Sequence, residues 1–125
     1  MKSLYFDSFC TAMGQLNIAK DIIAVYQRHG WKLRRVLLSP SLRDELAQQD
    51  DDVFGDAVLL DSEFDALWFA RPSHGEREAW ELRLVSEQAY ALFEAFEANE
   101  TEEEREEVRR ELEHRMRDYA LQSKA

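Results

Sequence analysis

Four side chains around one chain reversal are of the types from which a small-ligand pocket is built. Trp68, Arg71, His74 and Trp80 lie in or beside the stretch Pro72-Ser73-His74-Gly75, whose proline and glycine are residues that let a chain turn back on itself. If the flanking segments pair as a hairpin, the two indoles come within a residue or so of facing each other. Two indoles, a guanidinium and an imidazole then present flat apolar surface and positive charge to a small anionic or planar ligand. The same side chains also read as plain sheet core, with Arg71 paired to Glu76 or Glu78 across the loop. Whether the chain is an enzyme stays open: His74, Arg71 and Glu78 are the acid–base candidates. Spacing assembles no Ser/His/Asp or Cys/His set, and Gly75 belongs to no phosphate-binding loop.

Two spacings approach metal motifs and stop short. Asp50, Asp52, Gly55 and Asp61 fall at positions one, three, six and twelve of a calcium loop. Position five, however, is Phe54 where an oxygen ligand is needed, and position twelve lacks the bidentate glutamate. Glu111-Leu112-Glu113-His114 contains Glu-x-x-His, but that chemistry needs a second such pair and further glutamates, and neither His29 nor His74 has a glutamate three residues before it. Both are read as solvated surface, and no metal or cofactor is expected. Cys10 is the only cysteine, so no intrachain disulfide can form. With Phe9, Ala12 and Met13 around it, it reads as a small buried hydrophobe rather than a nucleophile.

Charge narrows the partners. The net charge is −10, from 26 acids and 16 bases, and so acidic a chain is repelled by phosphate backbones and anionic lipid. Nucleic acid and membrane are therefore not expected as partners. The start, Met1-Lys2-Ser3-Leu4-Tyr5-Phe6-Asp7, does not build a secretory signal, and no stretch approaches the roughly 20 apolar residues of a membrane span, so a cytoplasmic protein is expected. The charges are also segregated. Arg28, Lys32, Arg34, Arg35 and Arg43 form a run of bases without an acid, and from Asp44 to Asp65 there are nine acids without a base. Such a chain can attract another protein with a basic surface, or cancel its charge across its own fold or between two copies.

The elements that must position these residues follow from periodicity. Residues 8–28 place Phe9, Leu16, Ile22, Ile23 and Tyr26 on one helical face, capped by Asp7 or Ser8 and closed by His29-Gly30. Gly14 interrupts this helix and can delay its start to near Asn17. Trp31 to Leu38 reads as a strand whose bases suit a sheet edge. Ser39-Pro40 starts a short helix to about Gln48, and Gln49 to Gly55 is an acidic loop. From Ala57 to Phe96 the chain reads as an antiparallel meander, with Val58-Leu59-Leu60 and Ala66 to Arg71 as buried strands. Trp80, Leu82 and Leu84 alternate with Glu81 and Arg83 as a strand with one wet face, and Ala89 to Phe96 is a fifth strand or a helix. Thr101 and Glu104 form a capping box for a charged helix to about Leu121, with Glu106–Arg110, Glu111–Arg115 and Glu113–Arg117 spaced i to i+4. Its apolar stripe is Val108, Leu112, Met116 and Tyr119.

The sequence thus predicts one α+β domain over residues 1–125: a long N-terminal helix, a mostly antiparallel sheet of four to five strands with a short inserted helix, and a charged C-terminal helix, with helices on one sheet face. Function is read first as an acidic protein-interaction module that binds another protein, or a second copy of itself as a homodimer, through its acidic surface or its apolar helix stripe, and second as a carrier or sensor of a small molecule bound at Trp68, Arg71, His74 and Trp80.

Overall fold

Ala66-Leu67-Trp68-Phe69-Ala70 has no polar side chain on either side of its pleat, so both faces of the strand it forms must be covered. The structure, a computed structural model, is described over residues 2–49 and 52–124, with side chains over 14–49 and 52–122. The described residues form α1 (Lys2–Arg28), β1 (Lys32–Leu38), α2 (Pro40–Ala47), β2 (Val58–Asp61), β3 (Ala66–Pro72), β4 (Glu78–Leu84), β5 (Ala91–Phe96) and α3 (Glu102–Lys124). The strands make one mixed sheet in the order β2-β1-β3-β4-β5, which puts the apolar β3 at its centre. The fold is α+β with a mostly antiparallel sheet.

Three strand expectations are corrected. The meander begins at Ala66 and not at Ala57, because β2 runs parallel to β1, with Arg35 opposite Val58 and Leu37 opposite Leu60. α2 and the loop after it supply the long crossover that a parallel pair requires. β3 then returns on the other side of β1, so β1 lies inside the sheet and the edge falls to β2. Val58, Leu59 and Leu60, expected to be buried, are consequently exposed.

Helices cover both faces of the sheet rather than one. Leu67 and Phe69 of β3 pack with Leu33, Val36 and Leu38 of β1 against Leu16, Ala19, Ile22 and Ile23 of α1 and Leu42 of α2. The alternate residues, Ala66, Trp68 and Ala70, pack with Trp80, Leu82 and Leu84 of β4 against Leu112, Met116 and Ala120 of α3. The face of β4 expected to be wet is half covered, since Tyr26 of α1 donates from its hydroxyl to Glu81 and stacks on Phe69 at 4.1 Å. Of α1, side chains are described over residues 14–28. The Asp7 or Ser8 cap and the burial of Cys10 lie outside the described side chains.

Local signals at the other helix ends match the chemistry that was read. Ser39 Oγ accepts from the Leu42 N–H at 3.2 Å with Pro40 in the first turn. Thr101 N–H donates to Glu104 at 2.8 Å while Thr101 Oγ1 accepts from Glu104 N–H at 3.1 Å, the reciprocal pair of a capping box. The i to i+4 pairs on α3 do not close among the described residues. Glu106 is taken by Arg35 and Arg109, Glu113 by the Trp68 indole, and Arg117 by Glu63. Contacts to the sheet and to the β2–β3 loop, with one i to i+3 pair on the helix, took their place.

At the tip of the β3–β4 hairpin, His74 accepts from Arg77 N–H across Gly75 and Glu76. Both central residues have positive φ, 65° at Gly75 and 62° at Glu76, as in the primed turns that match the twist of paired strands. Glutamate is a poor occupant of this conformation, since a Cβ there crowds the carbonyl by about 1 kcal/mol. Glu76→Gly is expected to raise the unfolding free energy by roughly 0.5 kcal/mol, net of the entropy that glycine adds to the unfolded chain. Chemical denaturation of the two proteins reads the difference.

Candidate functional site

Two arginines in succession cannot both lie on one face of a regular strand, because neighbouring side chains point oppositely. In β1 they share a face. The ladder to β3 pairs Leu33 with Phe69 and then Arg35 with Trp68, so Arg34 is an extra residue, the signature of a β-bulge. Before the bulge Lys32 stands opposite Ala70, and after it Arg35 stands opposite Trp68. Both positions belong to the α3 side of the sheet. Arg34 itself is drawn to that side, with its guanidinium 5.1 Å from the centre of the Trp80 ring and that of Arg35 at 5.7 Å.

α3 brings a third guanidinium to the same ring. Arg109 lies 4.0 Å from the centre of the Trp80 ring and 5.3 Å from that of Phe96, and it is 2% exposed. Its Nη1 donates at 2.8 Å to both Glu102 and Glu106. Arg35 binds Glu106 as a fork, at 2.9 and 3.2 Å, the geometry in which guanidinium and carboxylate match best. Glu78 accepts from the Trp80 indole at 2.7 Å and from Arg105 at 3.3 Å. The buried Nε atoms of Arg105 and Arg109 have no acceptor, which is uncommon for buried donors.

These groups border a cleft of about 660 Å³, lined by Lys32, Arg34, Arg35, Arg109 and Trp80, with Val58 and the acids Asp56, Glu78 and Glu102. That is within the usual size of a small-ligand pocket. Glu78 and Glu102 are occupied by the partners just described. Lys32 and Arg34 are exposed and carry no ion pair with any described residue. The cleft therefore offers two cations that can receive an anion without breaking a bond, beside two more held in place by carboxylates.

Arg35 holds Glu106 below the usual carboxylate pKa, against the effect of burial, and Arg109 adds to it. Arg109 does the same for Glu102. Because both folded-state values are depressed, their contribution is complete above the unfolded carboxylate pKa of about 4.3 and is lost as pH falls through the lower folded value. Glu106→Gln is expected to flatten the acid side of the stability curve. Urea unfolding should show the variant weaker than the parent at neutral pH, with the gap closing as pH falls below about 4.

The hairpin set expected from the sequence is divided. Trp68 and Trp80 are buried edge to face at 5.8 Å, and the Trp68 indole donates to Glu113 at 2.8 Å. Only Trp80 reaches the cleft. Arg71 follows the odd-numbered residues of β3 to the α1 side, where it donates to the His29 carbonyl at 2.7 Å and lies 4.5 Å over the Trp31 ring. It does not pair with Glu76 or Glu78. His74 is exposed in the turn and borders a separate open depression with His29 and Arg71.

The chain matches no protein-family model, no curated protein and no solved structure. Its site is legible only from its own residues.

Of the other sequence motifs, Asp50 of the calcium-like spacing lies outside the described residues, and Asp61 of the same spacing binds Arg43 at 2.9 Å. His114 is exposed on α3. Much of the acidic run is spent within the fold: Glu45 accepts from Leu16 N–H, Glu63 binds Arg117, and Asp65 accepts from Ser39 N–H and Gln15. No helix among the described residues is long and apolar enough to cross a membrane. Lys32, Arg34, Arg35 and Arg109 were not singled out as a site from the sequence. The adjacent arginines inside an otherwise alternating strand were the available signal, since they announce either an edge or a bulge.

Proposed function

We propose that the chain binds a small anion, carrying phosphate or carboxylate groups, in the cleft over Trp80. The observation that carries this reading is the bulge at Arg34, which turns two consecutive guanidinium groups and Lys32 to one face beside the buried Arg109. Bulges recur where a strand re-aims side chains for function. A regular strand would serve stability equally well and would not gather these charges. Trp80 is 3% exposed, so it acts as the floor on which the guanidinium groups rest and not as a ring for the ligand to stack on. Arg34 and Lys32 are the groups that meet the ligand, and Glu106 and Glu102 hold Arg35 and Arg109 in position.

Calorimetric titration with pyrophosphate and with citrate tests the reading. One of them is expected to bind at a single site with a dissociation constant of roughly 10–100 μM, weakening as salt is raised. Arg34→Ala is expected to weaken binding about tenfold or more, one charge-assisted bond being worth roughly 1.5 kcal/mol, with thermal unfolding unchanged. Absence of binding at millimolar anion, or equal binding by the variant, would overturn it. The reading as an acidic protein-interaction module calls on the acidic surface or the apolar stripe of α3; Leu112 and Met116 of that stripe are buried in the core, and the exposed edge at β2 is a different surface that favours a protein partner.

A further inference from the structure

Val58, Leu59 and Leu60 are three consecutive aliphatic residues on the outermost strand, and they are 54%, 38% and 37% exposed. β2 is short and ends in a charge, Asp61, but has neither the lysine, the proline nor the bulge with which proteins also protect an open edge. The other edge strand, β5, carries Glu94 in its middle. The backbone of β2 is available as well. Ser62 N–H donates inward to the Leu38 carbonyl, and since inward and outward groups alternate along a strand, the N–H and C=O of Leu59 and Asp61 point away from β1.

The charges around this edge select what can pair with it. Asp56 and Asp61 bracket the aliphatic triplet and are exposed, Asp52 lies just before them, and the pair of Asp61 with Arg43 is itself solvated and therefore weak. Pairing two copies of β2, in either direction, would set acid brackets against acid brackets. An extended segment that is apolar in its middle and basic at its ends would meet complementary charge at both. We infer that the β2 edge takes up such a segment of a partner protein as an added strand, with the main chain at Leu59 and Asp61 making the hydrogen bonds. This edge adjoins the cleft over Trp80, which Val58 and Asp56 also border, but the strand-pairing groups of Leu59 and Asp61 lie outside it and the inference does not rest on that cleft binding an anion.

The test is a titration of the isotope-labelled full chain, followed through its backbone amides, with a peptide of alternating valine and threonine that has lysines at both ends. The amides of Leu59 and Asp61 are expected to shift most, and the same peptide with glutamates at its ends is expected to bind at least tenfold more weakly. Leu59→Pro removes an outward N–H that β1 does not use, a substitution that edge strands tolerate, and should abolish uptake. The double variant Asp56→Lys, Asp61→Lys should instead favour the glutamate-ended peptide, and it remains informative if Leu59→Pro does not fold. The inference is overturned by the absence of shifts with millimolar lysine-ended peptide, by equal binding of both peptides, or by binding that survives in a folded Leu59→Pro. It is equally overturned by concentration-dependent dimerisation through β2 in the absence of peptide.

Discussion

Arg109→Ala is expected to lower the unfolding free energy by about 3–5 kcal/mol, among the largest losses of any single substitution in this chain. The side chain is 2% exposed, sets its guanidinium carbon 4.0 Å from the centre of the Trp80 ring and 5.3 Å from that of Phe96, and gives one Nη to two glutamates. Alanine leaves a void under the indole and takes the shared cation from Glu102 and Glu106. Two further variants separate the contributions. Arg109→Lys keeps the charge but loses the flat cation that rests on the ring, so lysine is not a conservative replacement here. Arg109→Met fills most of the space without the charge. Methionine is expected to be less harmful than alanine, because both remove the buried Nε that lacks an acceptor in the parent but only methionine keeps the space beside the indole filled. Urea unfolding at neutral pH ranks the three.

Trp68→Ala is expected to cost a similar amount, about 3–5 kcal/mol, for a different reason. The indole is fully buried at the centre of the sheet, touches the edge of Trp80, and donates to Glu113 of α3. Alanine opens a large cavity and leaves a part-buried carboxylate without its donor. Trp68→Phe retains most of the apolar volume and isolates the hydrogen bond, with an expected loss of roughly 1–2 kcal/mol. If phenylalanine were as damaging as alanine, the bond to Glu113 would outweigh the packing. Equilibrium denaturation of both variants decides between the two.

How much of this was legible in the sequence depends on whether a signal was local. The cap at Ser39, the box at Thr101 and Glu104, the alternation of Trp80, Leu82 and Leu84, and the apolar stripe of α3 are set by neighbours within a few residues, and the structure contains each of them. The position of β2 was not local. Val58-Leu59-Leu60 reads as a buried strand by composition, yet strand order is decided by where β3 returns after the crossover, and that put the triplet on the edge. The same decision moved the basic β1 inward and left its cations above the sheet rather than beside it.

The division of the hairpin set was more accessible than the reading allowed. Residues 68 and 71 are three apart, so on any regular strand their side chains leave opposite faces, and Arg71 went to α1 while Trp68 went to α3. Only Trp80 joined a polar cleft, and its companions came from β1 and α3. The gathering of Lys32, Arg34 and Arg35 depended on a register shift of one residue. Two arginines in succession hint at such a shift, but only the pairing with Phe69 and Trp68 locates it. Arg109 looked like any exposed arginine of a charged helix, and burial by tertiary contact gave it its role.

The account depends most on an anion seated at Lys32 and Arg34, close enough to Arg35 and Arg109 for the three guanidinium groups to sense it together. Recording the side-chain Nε–Hε resonances of the arginines while pyrophosphate is added tests this most directly. The account expects Arg34, Arg35 and Arg109 to shift and saturate along one binding curve while Arg71 and Arg117 stay still. Uniform drift of every arginine without saturation, or movement at Arg71 with none at Arg34, would contradict it.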